Sequence, residues 1–198
     1  MIYSSSFVPS VVQFNADGIY FTDDKGEGWR TGLWWIAPQG GQPRLISRTI
    51  WEPVVANGAA WGLTFNPADP HPAPGGIGSP ENTILRFDLR TGAQHTWWYQ
   101  PGSDMRLLDG DYSGNLFAYT FREDVDGSLV DWVLDPKGTA HGIGTANLDD
   151  LAAVDLNGTW FTDSGSSSLW LFKSGQLERI AGFNVAELTI GGGCIPGA

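Results

Sequence analysis

Two tryptophans are each followed by a charged residue, a combination that is typical of ligand-binding sites. Trp29 precedes Arg30 and Trp51 precedes Glu52, so each large flat side chain has a charged neighbour. Flat aromatic rings near turns stack on sugars or hold peptides, while charged neighbours hydrogen-bond polar groups of a ligand. Tryptophan also fills the space between packed sheets, and the sequence leaves both roles open. We predict that Trp29 and Trp51 bind ligand.

A second candidate for chemistry is an acidic turn in the middle of the chain. Asp109, Asp111 and Ser113, followed by Gly114, resemble the opening of a Ca²⁺ loop, in which alternate side chains turn inward. The twelfth position of such a loop is Thr120 instead of glutamate. The same residues are typical of a turn between strands, and we favour that interpretation.

Catalytic residues are not recognisable in this sequence, which leaves open whether the protein is an enzyme. Its three histidines, His71, His95 and His141, have the right pKa range for a general base, but none has a partner in a known pattern. There is no Gly-x-Ser-x-Gly elbow and no phosphate-binding loop. Cys194 is the only cysteine, which excludes an internal disulfide and a thiolate metal cluster within one chain.

The composition indicates one globular domain and limits its partners. Of 198 residues 41% are hydrophobic, which is enough to bury a core. The 22 acidic residues outnumber the 11 basic ones, so we expect no nucleic-acid partner. No apolar run is long enough to span a membrane. The low charged fraction of 17% favours an exported bacterial protein whose leader has been removed, although composition does not fix the compartment.

An internal repeat supplies the framework for these residues. Four glycines each end a turn-like segment and open a run of aromatic and β-branched residues, which is typical of a strand: Gly18, Gly58, Gly114 and Gly158. A second strand and a glycine-containing turn follow in every unit, as in Leu33–Ile36 and Leu169–Phe172. A further strand precedes each opening glycine. Each unit therefore has four strands in about 40 to 55 residues, the length of a propeller blade.

The strands are apolar on both faces, so each sheet must be covered on both sides. Four-stranded units that pack face to face describe an all-β fold, the β-propeller, here with about four recognisable blades as a small ring or part of a larger one. We predict a single domain over residues 1–198, with blades at 7–48, 51–101, 103–146 and 148–182 and terminal strands at 1–6 and 185–190. An open blade face or sheet edge would favour self-association, so a homo-oligomer is expected.

The repeat resembles the blades of a six-bladed propeller superfamily. The segments Gly18–Asp23 and Gly158–Asp163, each followed by an aromatic strand, look like blades of NHL-repeat proteins, streptogramin lyases and gluconolactonase-type hydrolases. The segment Asp150–Gly158 with Trp160 is similar to the blade pattern throughout. Enzymes of this superfamily hold a divalent cation at the mouth of the channel. The resemblance therefore implies a Ca²⁺ or Mg²⁺ site, with Glu52, Asp104 and Asp150 as metal or ligand-binding residues.

Two functions follow from these observations. The first is a β-propeller binding module that recognises a small molecule, a glycan or a partner protein through its channel face and loops. The alternative is a divalent-cation-dependent lyase or lactone hydrolase of the streptogramin-lyase or gluconolactonase type, in which the cation stabilises a developing oxyanion. A third interpretation is that the chain is a folding fragment with no activity of its own, because fold alone does not define function.

Overall fold

The computed structural model describes residues 8–24, 31–66, 68, 81–111, 113–122, 128–155, 157–163 and 168–182. The described part of the chain contains fifteen β-strands and no helix. The first seven are β1 (Val8–Asn15), β2 (Gly18–Asp24), β3 (Thr31–Ile36), β4 (Arg44–Ala56), β5 (Ala59–Thr64), β6 (Thr83–Asp88) and β7 (Gln94–Tyr99). The others are β8 (Asp104–Gly110), β9 (Leu116–Arg122), β10 (Ser128–Leu134), β11 (Ala140–Gly144), β12 (Leu148–Asp155), β13 (Gly158–Asp163), β14 (Ser168–Lys173) and β15 (Gln176–Gly182).

The strands form four antiparallel sheets of four strands, which we call blades 1 to 4. Blades 3 and 4 are β8–β11 and β12–β15, each paired in sequence order. Blades 1 and 2 share β4, whose first part pairs with β3 and whose segment Trp51–Ala56 pairs with β5. The all-β propeller architecture predicted from the repeat is thereby confirmed. The predicted terminal strands at 1–6 and 185–190 lie outside the described residues, and the division into a single domain stays a prediction.

The continuity of β4 differs from the two separate strands that the sequence suggested. No glycine interrupts the chain between Ser47 and Glu52, so the outer strand of blade 1 runs directly into the inner strand of blade 2. The change of direction is made by a bulge between Trp51 and Val54, where Glu52 has a φ of 44°. A bulge bends a strand without ending it, which local sequence patterns do not reveal.

The inner strands of the blades contact one another in chain order. β1 contacts β4, β4 contacts β8, and β8 contacts β12. Each blade begins with its inner strand and continues outward, and inner strands of a propeller run in the same direction. The residues that begin these strands therefore lie at one end of the propeller, which we call the entry end. Trp51 and Asp104 are at the entry end.

Three apolar clusters fill the boundaries between successive blades. The cluster between blades 1 and 2 contains Leu33, Ile50 and Phe87. Leu63, Ile84 and Met105 lie in the second cluster, between blades 2 and 3. In the third, Phe117 of blade 3 packs edge-on against Phe161 and Phe172 of blade 4, with ring centroids 4.7 and 5.3 Å apart. Edge-to-face packing of this kind stabilises the boundary beyond the burial of apolar area.

The four glycines predicted to end turns all have a positive φ, as expected for their role. Gly18 and Gly158 occupy the same place in blades 1 and 4, with φ values of 150° and 148°. A Cβ atom at Gly18 would collide with the backbone oxygen of Ile36, and one at Gly158 with that of Phe172. These two positions therefore require glycine for both conformation and space.

Every outer strand carries a bulge at the same place. The extra residues are Ile46, Trp97, Ile143 and Ile180 in blades 1 to 4. The first three pack against the core cluster of the next boundary. Ile180, the last of them, is 46% exposed.

The part of the chain that the structure describes has no helix able to cross a membrane.

Candidate ligand-binding site

A cluster of charged side chains lies at the entry end, around Arg106 of β8. The Nη1 atom of Arg106 donates hydrogen bonds to Glu81 Oε2 at 2.6 Å and to Asp104 Oδ1 at 3.1 Å. It also donates to the backbone oxygen of Met105 at 2.7 Å. Glu81 stands just before β6 of blade 2, and its backbone oxygen accepts from Met105 N at 2.8 Å. Side chains and backbone together fix the boundary between blades 2 and 3.

Burial and a surplus of negative charge shift the pKa values of the side chains in this cluster. Burial raises the pKa of Glu81, Arg106 opposes that rise, and the charges of Asp104 and Glu52 add to it. Burial alone would lower the pKa of Arg106, but its three carboxylate neighbours raise it overall. Two carboxylates bind the guanidinium and the charge of a third, Glu52, acts on it, so the cluster has net negative charge and unused acceptor capacity.

Glu52 and Trp51 form the outer part of the same site. Glu52 is exposed, and its φ of 44° places a residue with a side chain in the left-handed region. That conformation is uncommon for residues other than glycine and arises here in the bulge of β4. Trp51 is partly buried, because it packs against the core cluster between blades 2 and 3 while retaining exposed surface. The bulge thus lies where a carboxylate residue follows an aromatic residue in the chain.

The predicted site residues fall into two groups. Glu52 and Asp104 belong to the electrostatic cluster around Arg106, and Trp51 adjoins Glu52 in the chain. The backbone of Asp150 lies in β12 opposite Thr162, but its side chain is outside the described part, and Trp29 lies wholly outside it. No group of three or more His, Cys, Asp or Glu side chains suited to a metal occurs among the described residues. The Ca²⁺ or Mg²⁺ site stays a prediction.

Sequence reasoning missed Glu81 and Arg106. Arg106 stands two residues after Asp104 in a strand, which places both side chains on one face, and this spacing was the available signal. Glu81 follows the proline-rich insertion, and nothing in its neighbourhood indicated that it would meet β8. Its position depends on the packing of blade 2 against blade 3.

The acidic turn at Asp111 is used for structure. Its carboxylate accepts hydrogen bonds from the backbone N–H groups of Ser113 at 2.8 Å and Asn115 at 2.9 Å, and from the Asn115 side chain at 2.8 Å. The Asn57 side chain in the corresponding turn of blade 2 donates to the backbone oxygen of Asp111. These contacts close the turn and connect neighbouring blades, as the favoured interpretation predicted.

Fold and site together describe a β-propeller with a charged, partly aromatic cluster at one end. No family model matches the chain, and no curated protein matches it. Among solved structures it is similar to TolB from Acinetobacter baumannii, a β-propeller, with a TM-score of 0.51 and 16% identity over 76% of this chain and 37% of TolB. The N-terminal domain of Nup159 matches with a TM-score of 0.41 and 10% identity over 86% of this chain and 47% of that one.

The chain spans less than half the length of both solved structures. The TolB match supports the propeller fold and, at 16% identity, the fold alone. The resemblance to the six-bladed superfamily is therefore supported as a propeller resemblance. Neither comparison points to NHL-repeat proteins or streptogramin lyases in particular.

Proposed function

We propose that this propeller is a binding module whose ligand site is the cluster at the entry end. The observation that carries the proposal is the group of three carboxylates, Glu52, Glu81 and Asp104, around Arg106. Burial and hydrogen bonding hold Glu81 and Asp104 in place, whereas Glu52 is exposed to solvent. A site with fixed acceptors, one fixed donor and an adjacent aromatic ring is pre-organised for polar ligands.

A glycan is the ligand class that this combination fits best among a small molecule, a glycan and a partner protein. Carboxylate oxygens accept hydrogen bonds from neighbouring hydroxyl groups, and the guanidinium donates to ring or hydroxyl oxygens. Trp51 is only partly buried, and an indole ring can contact the C–H face of a sugar. Surplus negative charge disfavours acidic sugars, so neutral or amino sugars are the expected ligands.

The test is calorimetric titration of the protein with a panel of neutral and amino oligosaccharides. Glu52→Gln keeps the shape of an exposed side chain and removes its charge, so we expect affinity to fall about tenfold without loss of stability. Trp51→Ala is expected to weaken the same ligand, with a thermal melt to verify folding. Glu178→Gln, at an exposed acidic residue of β15, is the matched control. Unchanged affinity in both Glu52→Gln and Trp51→Ala contradicts the proposal.

The cation-dependent lyase or lactone hydrolase is the second candidate. It is supported by the charges of Glu52 and Asp104, which both act on the guanidinium of Arg106. Asp150 is the third acid that the sequence predicted. In this proposal Glu52, Asp104 and Asp150 would hold Ca²⁺ or Mg²⁺, which would supply positive charge for a developing oxyanion. Asp104 is hydrogen-bonded to Arg106, so an ion would compete with that guanidinium.

Thermal melts in EDTA and then in Ca²⁺ or Mg²⁺ test the metal independently of any substrate. An ion at about 100 times its Kd stabilises the native state by about 2.7 kcal/mol, or about 5 to 10 °C for a chain of this size. Asp150→Asn is expected to remove that shift. A melting temperature that neither ion raises excludes this candidate.

Self-association is also proposed, and the exposed bulge residue of blade 4 supports it. Ile180 is 46% exposed, whereas its counterpart Ile143 packs against the third core cluster. Ile180→Asp is expected to lower the mass measured by light scattering without lowering the melting temperature. Ile143→Asp is the contrasting variant and is expected to destabilise the fold. A monomeric parent protein refutes the proposal.

A further inference from the structure

A cavity lies between the outer strands of blades 3 and 4. Its volume is about 370 Å³, and its walls include Ile143 and Gly144 of β11 with Trp170, Leu177 and Arg179 of blade 4. Volumes of this order are typical of small-molecule sites, which are mainly apolar with a few polar groups. The cavity shares no residue with the cluster around Arg106.

The preceding boundary shows what ordinarily occupies this space. In blade 2 the residue after the outer-strand bulge is Trp98, which pairs with Ile84. In blade 3 the residue after the bulge is Gly144, which pairs with Asp131. Ile84 and Asp131 are equivalent, because each stands four residues before the aspartate, Asp88 or Asp135, whose carboxylate closes the turn after the strand. Gly144 therefore stands where blade 2 has tryptophan.

The residues that face these two positions are equivalent as well. Trp132 of β10 and Trp170 of β14 are tryptophans of the third strand, and each donates its indole N–H to the strand before. Trp132 Nε1 donates to Thr120 Oγ1 at 2.9 Å, and Trp170 Nε1 to Asp163 Oδ2 at 2.6 Å. In both cases the acceptor is two residues beyond the tryptophan's partner in the ladder. This hydrogen bond fixes the plane of the indole ring in blade 3 and in blade 4.

The two boundaries differ in one aromatic ring. Between blades 2 and 3, the rings of Trp98 and Trp132 contact each other with centroids 5.1 Å apart. Between blades 3 and 4, Trp170 and Gly144 both line the cavity, which occupies the place of the missing indole. A Cβ atom at Gly144 would be 3.6 Å from Leu177, an ordinary contact, so its backbone site has room for a side chain.

A cation lies at the edge of the same cavity. Arg179 pairs with Trp170 across β14 and β15, so both side chains are on one face of blade 4. Its Nε atom donates to Ser168 Oγ at 2.9 Å, and no described residue forms an ion pair with its guanidinium. Trp132 has Gly142 at the corresponding position, so the charge is specific to this boundary.

We propose that this cavity binds a small aromatic carboxylate. The ring of the ligand takes the place that Trp98 occupies at the preceding boundary and contacts the ring of Trp170 at a tilted angle, as Trp98 contacts Trp132. Its carboxylate accepts hydrogen bonds from the terminal nitrogens of Arg179, in the forked geometry that guanidinium and carboxylate groups share. The chain carries a net charge of −11, so anions are repelled elsewhere and Arg179 is a distinctive point of attraction.

The test uses indole-3-acetate, with indole-3-acetamide as its uncharged counterpart. Binding is followed through the indole N–H resonance of Trp170 in ¹⁵N-labelled protein, assigned with Trp170→Phe. We expect saturable binding of indole-3-acetate with a Kd on the order of 1 mM or tighter, and binding of the amide about tenfold weaker.

Two variants and a control locate the site. Arg179→Gln is expected to weaken indole-3-acetate about tenfold and to leave the amide unchanged. Gly144→Trp rebuilds the tryptophan pair of the preceding boundary, so it is expected to abolish binding of both compounds without lowering the melting temperature. Lys173→Gln removes an exposed cation of the same strand and is expected to change nothing. Equal binding of acid and amide, or unchanged binding in Arg179→Gln or in folded Gly144→Trp, overturns the proposal.

Discussion

Arg106 and Glu81 join two successive blades through an ion pair of 2.6 Å between Nη1 and Oε2. Glu81 is 15% exposed and Arg106 34% exposed, so the pair is partly protected from solvent screening. The same guanidinium binds Asp104, which begins the inner strand of blade 3. One cation therefore holds a structural boundary and orders the proposed ligand site.

Removal of that cation is predicted to destabilise the protein in a pH-dependent way. Arg106→Leu leaves Glu81 buried without its counter-ion, so we expect a loss of about 1–3 kcal/mol in the free energy of unfolding at pH 7. Partial exposure of Arg106 keeps the loss below that of a fully buried pair. Urea denaturation measures the effect, with Arg90→Leu at an exposed turn residue as the control.

The sign of the pH dependence follows from the raised pKa of Glu81. Burial raises it above the ordinary 4.5, and loss of Arg106 raises it further. An acid whose pKa is raised on folding binds more protons in the native state, so its contribution to stability falls as pH rises above 4.5. The deficit of Arg106→Leu is therefore expected to shrink between pH 7 and pH 4.5. Equal deficits at the two pH values would show that the ion pair is not its origin.

Four aspartates are predicted to titrate in two groups. Burial raises the pKa of Asp109 and Asp131, whereas backbone N–H groups of Thr91 and Thr139 lower the pKa of Asp88 and Asp135 respectively. Stability supplied by Asp88 and Asp135 is present above the ordinary 3.8 and lost as pH falls through their lowered pKa. In a carboxyl ¹³C titration with rising pH, Asp109 and Asp131 are expected to lose their protons after Asp88 and Asp135. The reverse order would contradict the described burial.

Asp131 is predicted to be a structural anchor. Its buried carboxylate accepts hydrogen bonds from the backbone N–H groups of Ala146 at 2.6 Å and Leu148 at 3.2 Å, where the chain enters blade 4. Asp131→Ala leaves these donors without an acceptor, so we expect a loss of about 1–3 kcal/mol in the free energy of unfolding. Asp88→Ala, in an exposed turn, should cost less when both are measured by urea denaturation. A smaller loss for Asp131→Ala than for Asp88→Ala would rule out this role.

Two glycines are predicted to differ sharply in their tolerance of alanine. Gly158→Ala is expected to lower stability by more than about 2 kcal/mol, because the new Cβ atom meets the backbone oxygen of Phe172. Gly175 also has a positive φ, of 80°, but nothing lies within 4 Å of its Cβ position. Gly175→Ala should therefore cost only about 1 kcal/mol. Similar melting temperatures for the two variants would show that the collision is relieved by backbone movement.

The fold was largely accessible from the sequence because its signals are local. Turn glycines such as Gly18 and Gly158, and the aromatic runs that follow them, define strands within a few residues. Strands that are apolar on both faces require sheets covered on both sides, which leads to the propeller. The continuous β4 was not predicted, because a bulge at Glu52 has no turn signature.

The candidate site was accessible only in part. Asp104 and Glu52 were predicted from the resemblance to the superfamily's cation site, whereas Glu81 contacts Arg106 from another blade. These two residues are 25 positions apart in the chain. They meet only because blade 2 packs against blade 3, which local sequence patterns do not indicate.

By itself, the sequence determined the repeat, the turns and the alternation of strands, since these depend on the conformational preferences of neighbouring residues. Tertiary structure decided which side chains meet across the blade boundaries. Trp132 contacts Trp98, while Trp170, the equivalent of Trp132, lines a cavity together with Gly144. That difference depends on the registers of strands in separate blades, which are fixed only when the sheets pack.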